Sequence, residues 1–263
     1  MASLPAAVPE VRALTRGLRL LEILAAEPAG LALTEITQLA QLSKSSAHRL
    51  LQTLIHNGYV SQESSSGRYR PSLKLLQLGS QLAEQASLAS LAHPHLSQIA
   101  EFTGETVHLV VLEGDDAVYV AKVESPSPIR MYSKIGMRVP LHCTGVGKAI
   151  LAHLPEDRLL QLADNGRLQR FTDNTITDPA ALRRHLADVR RRGYAIDNGE
   201  HEEPVRCIAA PLFARDRRVV GAMSIAAVSY RVDLKTLRGW WPLLRSHAEQ
   251  LNAKLVPYFD RYI

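Results

Sequence analysis

Residues 33–60 constrain the fold of this chain more than any other stretch of its sequence. Apolar side chains recur at helical spacing in two short segments, 34–41 and 45–57, and the tight turn 41–43 joins them. The hydroxyl of Thr34 is placed to accept from a free N–H of the first turn, and an Asn-Gly pair ends the second helix. Two short amphipathic helices joined in this way predict a helix-turn-helix, whose second helix enters the major groove of DNA.

The second helix of this pair has an apolar face and a small, polar, basic face. Ala47, Leu50, Leu51 and Leu54 share the first face and can pack inward. The opposite face carries hydroxyl, amide and basic side chains, which contact phosphates and base edges. An ordinary helical subdomain has the same periodicity and is the alternative to DNA binding. The candidate DNA-binding residues, with two from the segment that follows, are Thr34, Ser43, Lys44, Ser45, Ser46, His48, Arg49, Gln52, Arg68 and Arg70.

A short hairpin is predicted immediately after the helix pair. Two β-prone stretches, 59–62 and 68–71, flank a turn at 63–67 that is rich in Ser and Gly. A preceding helix is predicted at 12–26, where leucines repeat at helical spacing. Three helices followed by a hairpin are typical of a winged helix-turn-helix. The small polar wing tip suits contact with a phosphate backbone or a minor groove.

The charge of the chain fits nucleic-acid binding without establishing it. The 263 residues carry a net charge of +5, and the sequence pI is about 9.3. No apolar run approaches the ~18 residues of a membrane span, and the N-terminus lacks the pattern of a signal peptide. Two cysteines form no disulfide framework, so we expect a cytoplasmic protein without membrane association. A second basic cluster, interpreted as a solvated helix face, comprises Arg183, Arg184, Arg190, Arg191 and Arg192.

Beyond residue 104 the apolar period changes from helical to alternating, which predicts strands. Strands and helices that follow in blocks, with hairpins, indicate an α+β domain around a mostly antiparallel sheet. Strands are predicted at 106–112, 117–123, 129–134, 194–198, 205–213 and 219–227. Helices are predicted at 73–85, 88–102 with an interruption near Pro94, 146–154, 155–163, 179–192 and 233–259. The predicted organisation is a flexible arm at 1–10, a winged helix-turn-helix at 11–72, a linker helix at 73–86 and a second domain at 87–263.

Two segments of the second domain carry residues that could perform chemistry. Segment 141–149 resembles a P-loop superficially, but His142 stands where the first glycine belongs and Ala149 replaces the Mg²⁺-binding hydroxyl. A glycine-containing loop that opens a helix still offers N–H groups to an anion, although a simple helix cap gives the same pattern. Segment 197–207 has neither H-E-x-x-H nor C-x-x-C spacing. The sequence therefore predicts no metal site and no cofactor.

The two cysteines leave two alternatives from other functional classes. A hydrolase or transferase could use His142, Cys143 and Glu200, and a redox sensor could use Cys143 and Cys207. Cys207 precedes an apolar run typical of a buried strand, so its default role is that of a small hydrophobe.

Four motifs, in order along the chain, resemble those of the isocitrate lyase regulator (IclR) family. Segments 16–24 and 42–54 resemble its DNA-binding domain, and 140–151 and 192–211 resemble its ligand-binding domain. The resemblance covers about residues 14–258. Within the family, segments 129–136 and 174–178 are most similar to regulators of sugar-acid catabolism, such as those that respond to 2-keto-3-deoxygluconate.

The resemblance implies a transcription regulator, with a C-terminal GAF-like domain that binds a small carboxylated effector. It further implies a homodimer or tetramer on double-stranded operator DNA with dyad symmetry. The effector would be a sugar acid or a keto acid, with an aromatic acid as the alternative, and backbone N–H groups of 139, 145 and 146 would face its carboxylate. Ala226 and the Pro204-Val205 pair depart from the family pattern. The implied effector-binding residues are Met131, Val139, His142, Thr144, Gly145, Val146, Asp197, Glu200, Val205, Cys207, Ser224 and Ala226.

Overall fold

The first part of the chain is built from three helices and a hairpin. The computed structural model describes residues 11–27, 29–78, 88–127 and 133–262, and its backbone divides into two units between residues 85 and 86. The elements of the first unit are α1 (Arg12–Ala25), α2 (Leu33–Ala40), α3 (Lys44–His56), β1 (Val60–Gln62) and β2 (Tyr69–Pro71). The two strands pair antiparallel, which completes the predicted winged helix-turn-helix. A helical stretch at 73–78 follows, whereas the rest of the predicted linker helix and the predicted arm lie outside the described residues.

The core of the first unit lies where its three helices meet. Leu20 and Leu24 of α1, Ile36 of α2 and Leu51 of α3 are fully buried. Removing such leucine-sized side chains from water contributes about 1.5–3 kcal/mol each. Leu14 and Leu18, which also belong to the apolar repeat of α1, are 61% and 52% exposed in the single chain.

The predicted role of Thr34 as the cap of α2 is wrong. The helix begins at Leu33, so Thr34 already lies inside its first turn. The cap residue is Ala32, whose backbone N–H donates to Oε2 of Glu35 over 2.6 Å. A glutamate at this position satisfies a backbone donor as well as a threonine cap does, and it moves the start of the helix back by one residue.

The second unit is an antiparallel sheet between helices, which confirms the predicted α+β class. Its six strands lie in the order β5-β4-β3-β8-β7-β6, and every described pairing is antiparallel. The strands are β3 (Thr106–Glu113), β4 (Asp116–Val123), β5 (Arg138–Pro140), β6 (Ala195–Asn198), β7 (Val205–Phe213) and β8 (Val219–Val228). The helices are α4 (Leu88–Thr103), α5 (Gly145–Leu151), α6 (Glu156–Asp164), α7 (Pro179–Arg192), α8 (Leu234–Gly239) and α9 (Trp241–Tyr262).

Two apolar cores form, one on each face of the sheet. Leucines of α4 and α9, such as Leu96 and Leu251, pack with Met223 and other strand residues on one face. Residues of α5 and α7, such as Ile150 and Leu182, pack on the other. Because both faces are covered, all ten residues of the central strand β8 are buried.

Three predicted elements of the second unit differ from the structure. Helix α4 runs through Pro94 without interruption, because Pro94 is exposed and the carbonyl that loses its partner can face water. The predicted closing helix is two helices that divide at Trp240. Residues 133–134 of the strand predicted at 129–134 are not in a strand, its residues 129–132 lie outside the described residues, and β5 was not predicted. No described helix is long and apolar enough to cross a membrane.

Candidate functional site

The N-terminus of α3 presents a cluster of hydroxyl groups. Ser43 caps the helix, and its Oγ accepts from the backbone N–H of Ser46 over 3.3 Å. The same Oγ lies 2.9 Å from Oγ of Ser46 and 3.2 Å from Oγ of Ser45. Lys44 is the first residue of the helix. Free N–H groups, the positive end of the helix dipole and a lysine together favour a phosphate at this position.

The exposed face of α3 contains the other predicted DNA-binding side chains. His48, Arg49 and Gln52 are exposed, together with Lys44 and Ser45, while Ser46 is half-buried. Ala47 and Leu51 on the opposite face are fully buried. The helix therefore divides between core and solvent as its sequence predicts, and its outer face is available to the edges of bases.

The two arginines of the wing are held by contacts inside the first unit. Arg68 donates through Nη2 to Glu35 over 2.9 Å and through Nε to the carbonyl of Gly30 over 3.0 Å. The hydrogen bond from Ala32 and the charge of Arg68 hold the pKa of Glu35 below its usual value. Arg70 lies 3.7 Å from Glu63. The contacts of Arg68 fasten the hairpin to α2 and to the loop before it, and they were not predicted because their partners lie far apart in the sequence.

A small cavity opens in the second unit between the strands β3, β4, β7 and β8 and the start of α5. Its free space is about 50 Å³, or the volume that about two water molecules take up in the liquid. The structure brings eight of the predicted effector-binding residues to its walls: Thr144, Gly145, Val146, Asp197, Val205, Cys207, Ser224 and Ala226. The five lining residues that the sequence did not predict are His108, Tyr119, Ser133, His201 and Glu202.

The other predicted effector-binding residues do not line the cavity or are not described. Met131 lies outside the described residues. Val139 of β5 is buried in the apolar core that α5 and α7 form with the sheet. Nε2 of His142 lies 2.8 Å from the carbonyl oxygen of Gln169. Glu200 is buried in an ion pair beneath the cavity. These side chains support neighbouring segments, and such a role leaves no distinct mark on the sequence.

Glycines allow α5 to approach the sheet closely at the cavity. A Cβ on Gly145 would lie 2.7 Å from Sγ of Cys207, and a Cβ on Gly147 would lie 2.5 Å from the carbonyl oxygen of Pro140. Thr144 caps the helix, since its Oγ1 accepts from the N–H of Gly147 over 3.0 Å and donates to Pro140 over 2.8 Å. The glycine-containing segment therefore serves both as a helix cap and as a wall of the cavity.

One wall of the cavity is polar but uncharged. A hydrogen bond of 2.9 Å joins Nε2 of His108 to Oγ of Ser133, and the ring of His108 lies 4.8 Å from that of Tyr119. Burial and the nearby Lys122 lower the pKa of His108 to about 3, so its ring is neutral at pH 7. Burial raises the pKa of Tyr119 well above its usual value. These groups can exchange hydrogen bonds with the hydroxyl or carbonyl oxygens of a ligand.

Buried charges lie beside and beneath the other wall. Lys148 is completely buried and forms an ion pair with Glu200, whose backbone N–H donates to Oδ1 of Asp197 over 2.7 Å. Burial, opposed by that hydrogen bond and by Lys148, raises the pKa of Asp197 to about 7. Burial also raises the pKa of Glu200. Because Asp197 is a partly protonated acid near neutral pH, it can donate a hydrogen bond to an anion in the cavity.

The two cysteines are buried free thiols. Burial raises the pKa of Cys143, and it raises the pKa of Cys207 to about 12. Both thiols are protonated at neutral pH and are poor nucleophiles, which argues against the enzyme and redox-sensor alternatives. In the part of the chain that the structure describes, no group of three His, Cys, Asp or Glu residues could hold a metal ion.

Known proteins match the chain in both units. Residues 13–64 match the family described as IclR helix-turn-helix domain, and residues 80–253 match the family described as bacterial transcriptional regulator IclR C-terminal. The regulator XynR of Escherichia coli is 35% identical over 86% of this chain and 90% of its own length. The regulator KdgR of the same species is 37% identical over 85% of each chain.

Solved structures show the same architecture. The IclR protein of Thermotoga maritima superposes with a TM-score of 0.77 at 34% identity, over 94% of this chain and the whole of its own. An IclR homologue of Microbacterium hydrocarbonoxydans, solved with 4-hydroxybenzoate, superposes with a TM-score of 0.80 at 25% identity, over 92% of this chain and 98% of its own. This chain therefore belongs to the IclR family of DNA-binding bacterial transcriptional regulators.

Proposed function

We propose that a small carboxylated metabolite binds in the cavity of the second unit and controls the affinity of the first unit for an operator. The observation that carries the proposal is that one cavity gathers Thr144, Asp197, Ser224 and neutral His108 from four separate segments of the chain. Convergent polar groups in a cleft with a perturbed carboxyl pKa are typical of a ligand site. The Microbacterium homologue was solved with a small carboxylic acid, 4-hydroxybenzoate.

The free space of the cavity favours a short ligand. About 50 Å³ accommodates a keto acid of a few atoms with little displacement of the walls. The hydrogen-bonding groups of His108, Ser133 and Ser224 also suit the hydroxyl groups of a sugar acid, which would need more room. Protonated Asp197 and the N–H groups of 145 and 146 would receive the carboxylate.

An aromatic acid is the second candidate effector. The Microbacterium homologue was solved with 4-hydroxybenzoate, and it shares the fold over nearly the whole chain. Its ligand is larger than the free space here, so aromatic acids would bind only if the cavity expands. A thermal-shift screen of keto acids, sugar acids and aromatic acids distinguishes the two when wild type is compared with Ser224→Ala, because a ligand of the native state raises the melting temperature and an effector in this cavity should lose part of that rise in the variant.

The proposed mechanism is a population shift in a homodimer. Ligand that binds one arrangement of the two winged helices better than another shifts the protein toward that arrangement. A dimer would read two half-sites of an operator with dyad symmetry, about one helical turn apart. The exposed Leu14 and Leu18 of α1 support self-association of the first unit. Because its partner is DNA, we propose that the protein acts in the cytoplasm.

The proposed DNA surface consists of the N-terminus and outer face of α3. Lys44 and the serines would contact phosphates, and Arg49 and Gln52 would reach base edges. Arg68 and Arg70 would position the wing through the contacts described above. Thr34, which is exposed near the start of α2, is retained as a candidate phosphate contact.

The experiment compares two double variants in binding to the DNA upstream of the protein's own gene. Lys44→Ala with Arg49→Ala should weaken binding, and the loss of the Lys44 phosphate contact should reduce the slope of log affinity against log salt by about 1. Arg183→Ala with Arg184→Ala removes the same charge from exposed positions of α7 and is the matched control. If wild-type protein shows no salt-dependent preference for its own upstream DNA over random DNA, or if both variants behave alike, the proposal is wrong.

A further inference from the structure

A second cavity in the second unit shares no lining residue with the first. It lies between the end of α7, the strand β7 and the face of α9, and its volume is about 390 Å³. This volume falls within the range of about 300–1,000 Å³ that is typical of small-molecule sites. It is far larger than the free space of the proposed effector site, so it can hold a ligand of a different size.

Aromatic rings form the apolar part of its wall. The indole of Trp241 lies against the ring of Tyr194, with 5.0 Å between their centroids. Gly193 lies between α7 and Tyr194, and its φ of +83° is one that glycine adopts at low cost. Phe213 meets the ring of His153 edge to face at 5.0 Å. Flat rings with exposed faces or edges favour a flat ligand.

Cationic side chains form the polar part of the same wall. Arg191, Arg192 and Arg245 line the cavity, with Glu249 as the one acidic lining residue. Arg245 uses its Nε toward Glu249 over 2.7 Å, and its two Nη groups are further donors. Arg191 is paired with Asp188 over 2.8 Å, so the three guanidinium groups contact two carboxylates and an excess of positive charge remains at Arg192. Arginine forks are suited to carboxylates.

Two polar atoms of the wall have no partner in the described part of the chain. Nη2 of Arg192 and Nε2 of His153 are both buried and without a hydrogen bond. Only five such side-chain atoms occur among the described residues, and two of them belong to this cavity. Buried polar groups are normally paired, so these two atoms mark a part of the wall whose hydrogen bonding is incomplete.

We propose that this cavity is a second ligand site, which binds an aromatic monocarboxylate. The aromatic ring would lie against Trp241 and Phe213, and the carboxylate would accept from Arg192 and Arg245. The site accounts for part of the basic cluster at 190–192, which would otherwise be a solvated helix face. A ligand bound there would be a second effector, besides the ligand of the smaller cavity on which the proposed function rests.

The test uses the position of the two tryptophans of the chain, which are Trp240 and Trp241. In a Trp240→Phe variant, Trp241 is the single indole and lies in the wall of the cavity. Anthranilate absorbs where tryptophan emits, so bound anthranilate should give saturable sensitised emission. Benzoate should compete with it, and uncharged benzamide should not.

Variants separate this cavity from the other possibilities. Arg245→Gln should weaken anthranilate binding by about tenfold, a loss of about 1.4 kcal/mol, while Arg183→Gln on the exposed face of α7 and Ser224→Ala in the smaller cavity should leave it unchanged. Arg192→Gln should act like Arg245→Gln if its circular dichroism is native. The proposal is overturned if the natively folded protein shows no saturable emission, or if the emission is lost in Ser224→Ala. It is also overturned if Arg245→Gln changes the oligomeric state and wild type does not bind anthranilate.

Discussion

Replacement of Asp197 by Asn tests the electrostatics of the proposed effector site. Asp197 is 3% exposed, and burial raises its pKa from an ordinary 3.8 to about 7. A carboxyl whose pKa is raised in the folded state stabilises the fold least when it is ionised. The contribution of Asp197 to the free energy of unfolding is therefore largest below pH 3.8, and it is lost as the pH rises through 7. Asparagine is neutral at every pH and keeps an oxygen for the N–H of Glu200.

The size of the effect follows from the shift of the pKa. A shift from 3.8 to about 7 corresponds to roughly 4 kcal/mol of unfolding free energy between the limits of low and high pH. Between pH 5 and pH 8 the same relation gives roughly 2–3 kcal/mol. The stability of Asp197→Asn relative to wild type should therefore increase by about that amount over this interval.

Urea titration followed by tryptophan fluorescence measures this difference, because both tryptophans lie in the second unit. Asp233→Asn is the matched control, since Asp233 is an exposed helix cap whose pKa is lowered by the N–H of Thr236. It should change stability equally at pH 5 and pH 8. An equal effect of Asp197→Asn at the two pH values would refute the argument that burial holds Asp197 partly protonated.

Three further predictions concern the residues around the same cavity. Lys148→Met should destabilise the second unit by about 3–5 kcal/mol, because Glu200 keeps a buried charge, and Lys148→Met with Glu200→Leu should recover most of this loss in urea titration. Gly145→Ala should weaken effector binding measured by calorimetry, and Cys207→Ala should partly restore it, since the new Cβ collides with Sγ. Finally, Cys207 should react with Ellman's reagent in urea but not in the native protein, and a fast native reaction would contradict its burial.

Periodicity predicted the DNA-binding unit well because its core forms locally. The buried Ala47 and Leu51 of α3 lie opposite the exposed Arg49, as their spacing requires. The errors are also physical in origin. Thr34 and Glu35 can each accept a hydrogen bond from a free backbone N–H at the start of α2. A sequence does not show which of the two side chains does so, and in the structure it is Glu35. Helix α4 continues through Pro94 because Pro94 lies on an exposed face, where the freed carbonyl can reach water, and a sequence alone does not show this exposure.

The proposed effector site could be predicted only in part. Its loop motif and its signature strand lie in continuous segments, so Gly145 and Cys207 could be recognised from the residues around them. His108 and Tyr119 could not, because they reach the cavity through strand register, in which His108 lies opposite Ser224. Such pairings join distant parts of the chain. A histidine in an otherwise apolar strand was the only local signal.

In the proposed mechanism, binding of a ligand by the second unit and binding of an operator by the first unit are coupled. The most direct measurement is a reciprocal pair of titrations with the acid that raises the melting temperature most. The operator affinity is measured with and without this acid, and the affinity for the acid is measured with and without operator. Each titration gives the ratio of the affinity with the other ligand to the affinity without it. Coupling requires that the two ratios be equal and different from one, and that Ser224→Ala weaken binding of the acid. If the acid binds with Ser224 in place but leaves the operator affinity unchanged, the two units are not coupled and the proposed regulation is wrong.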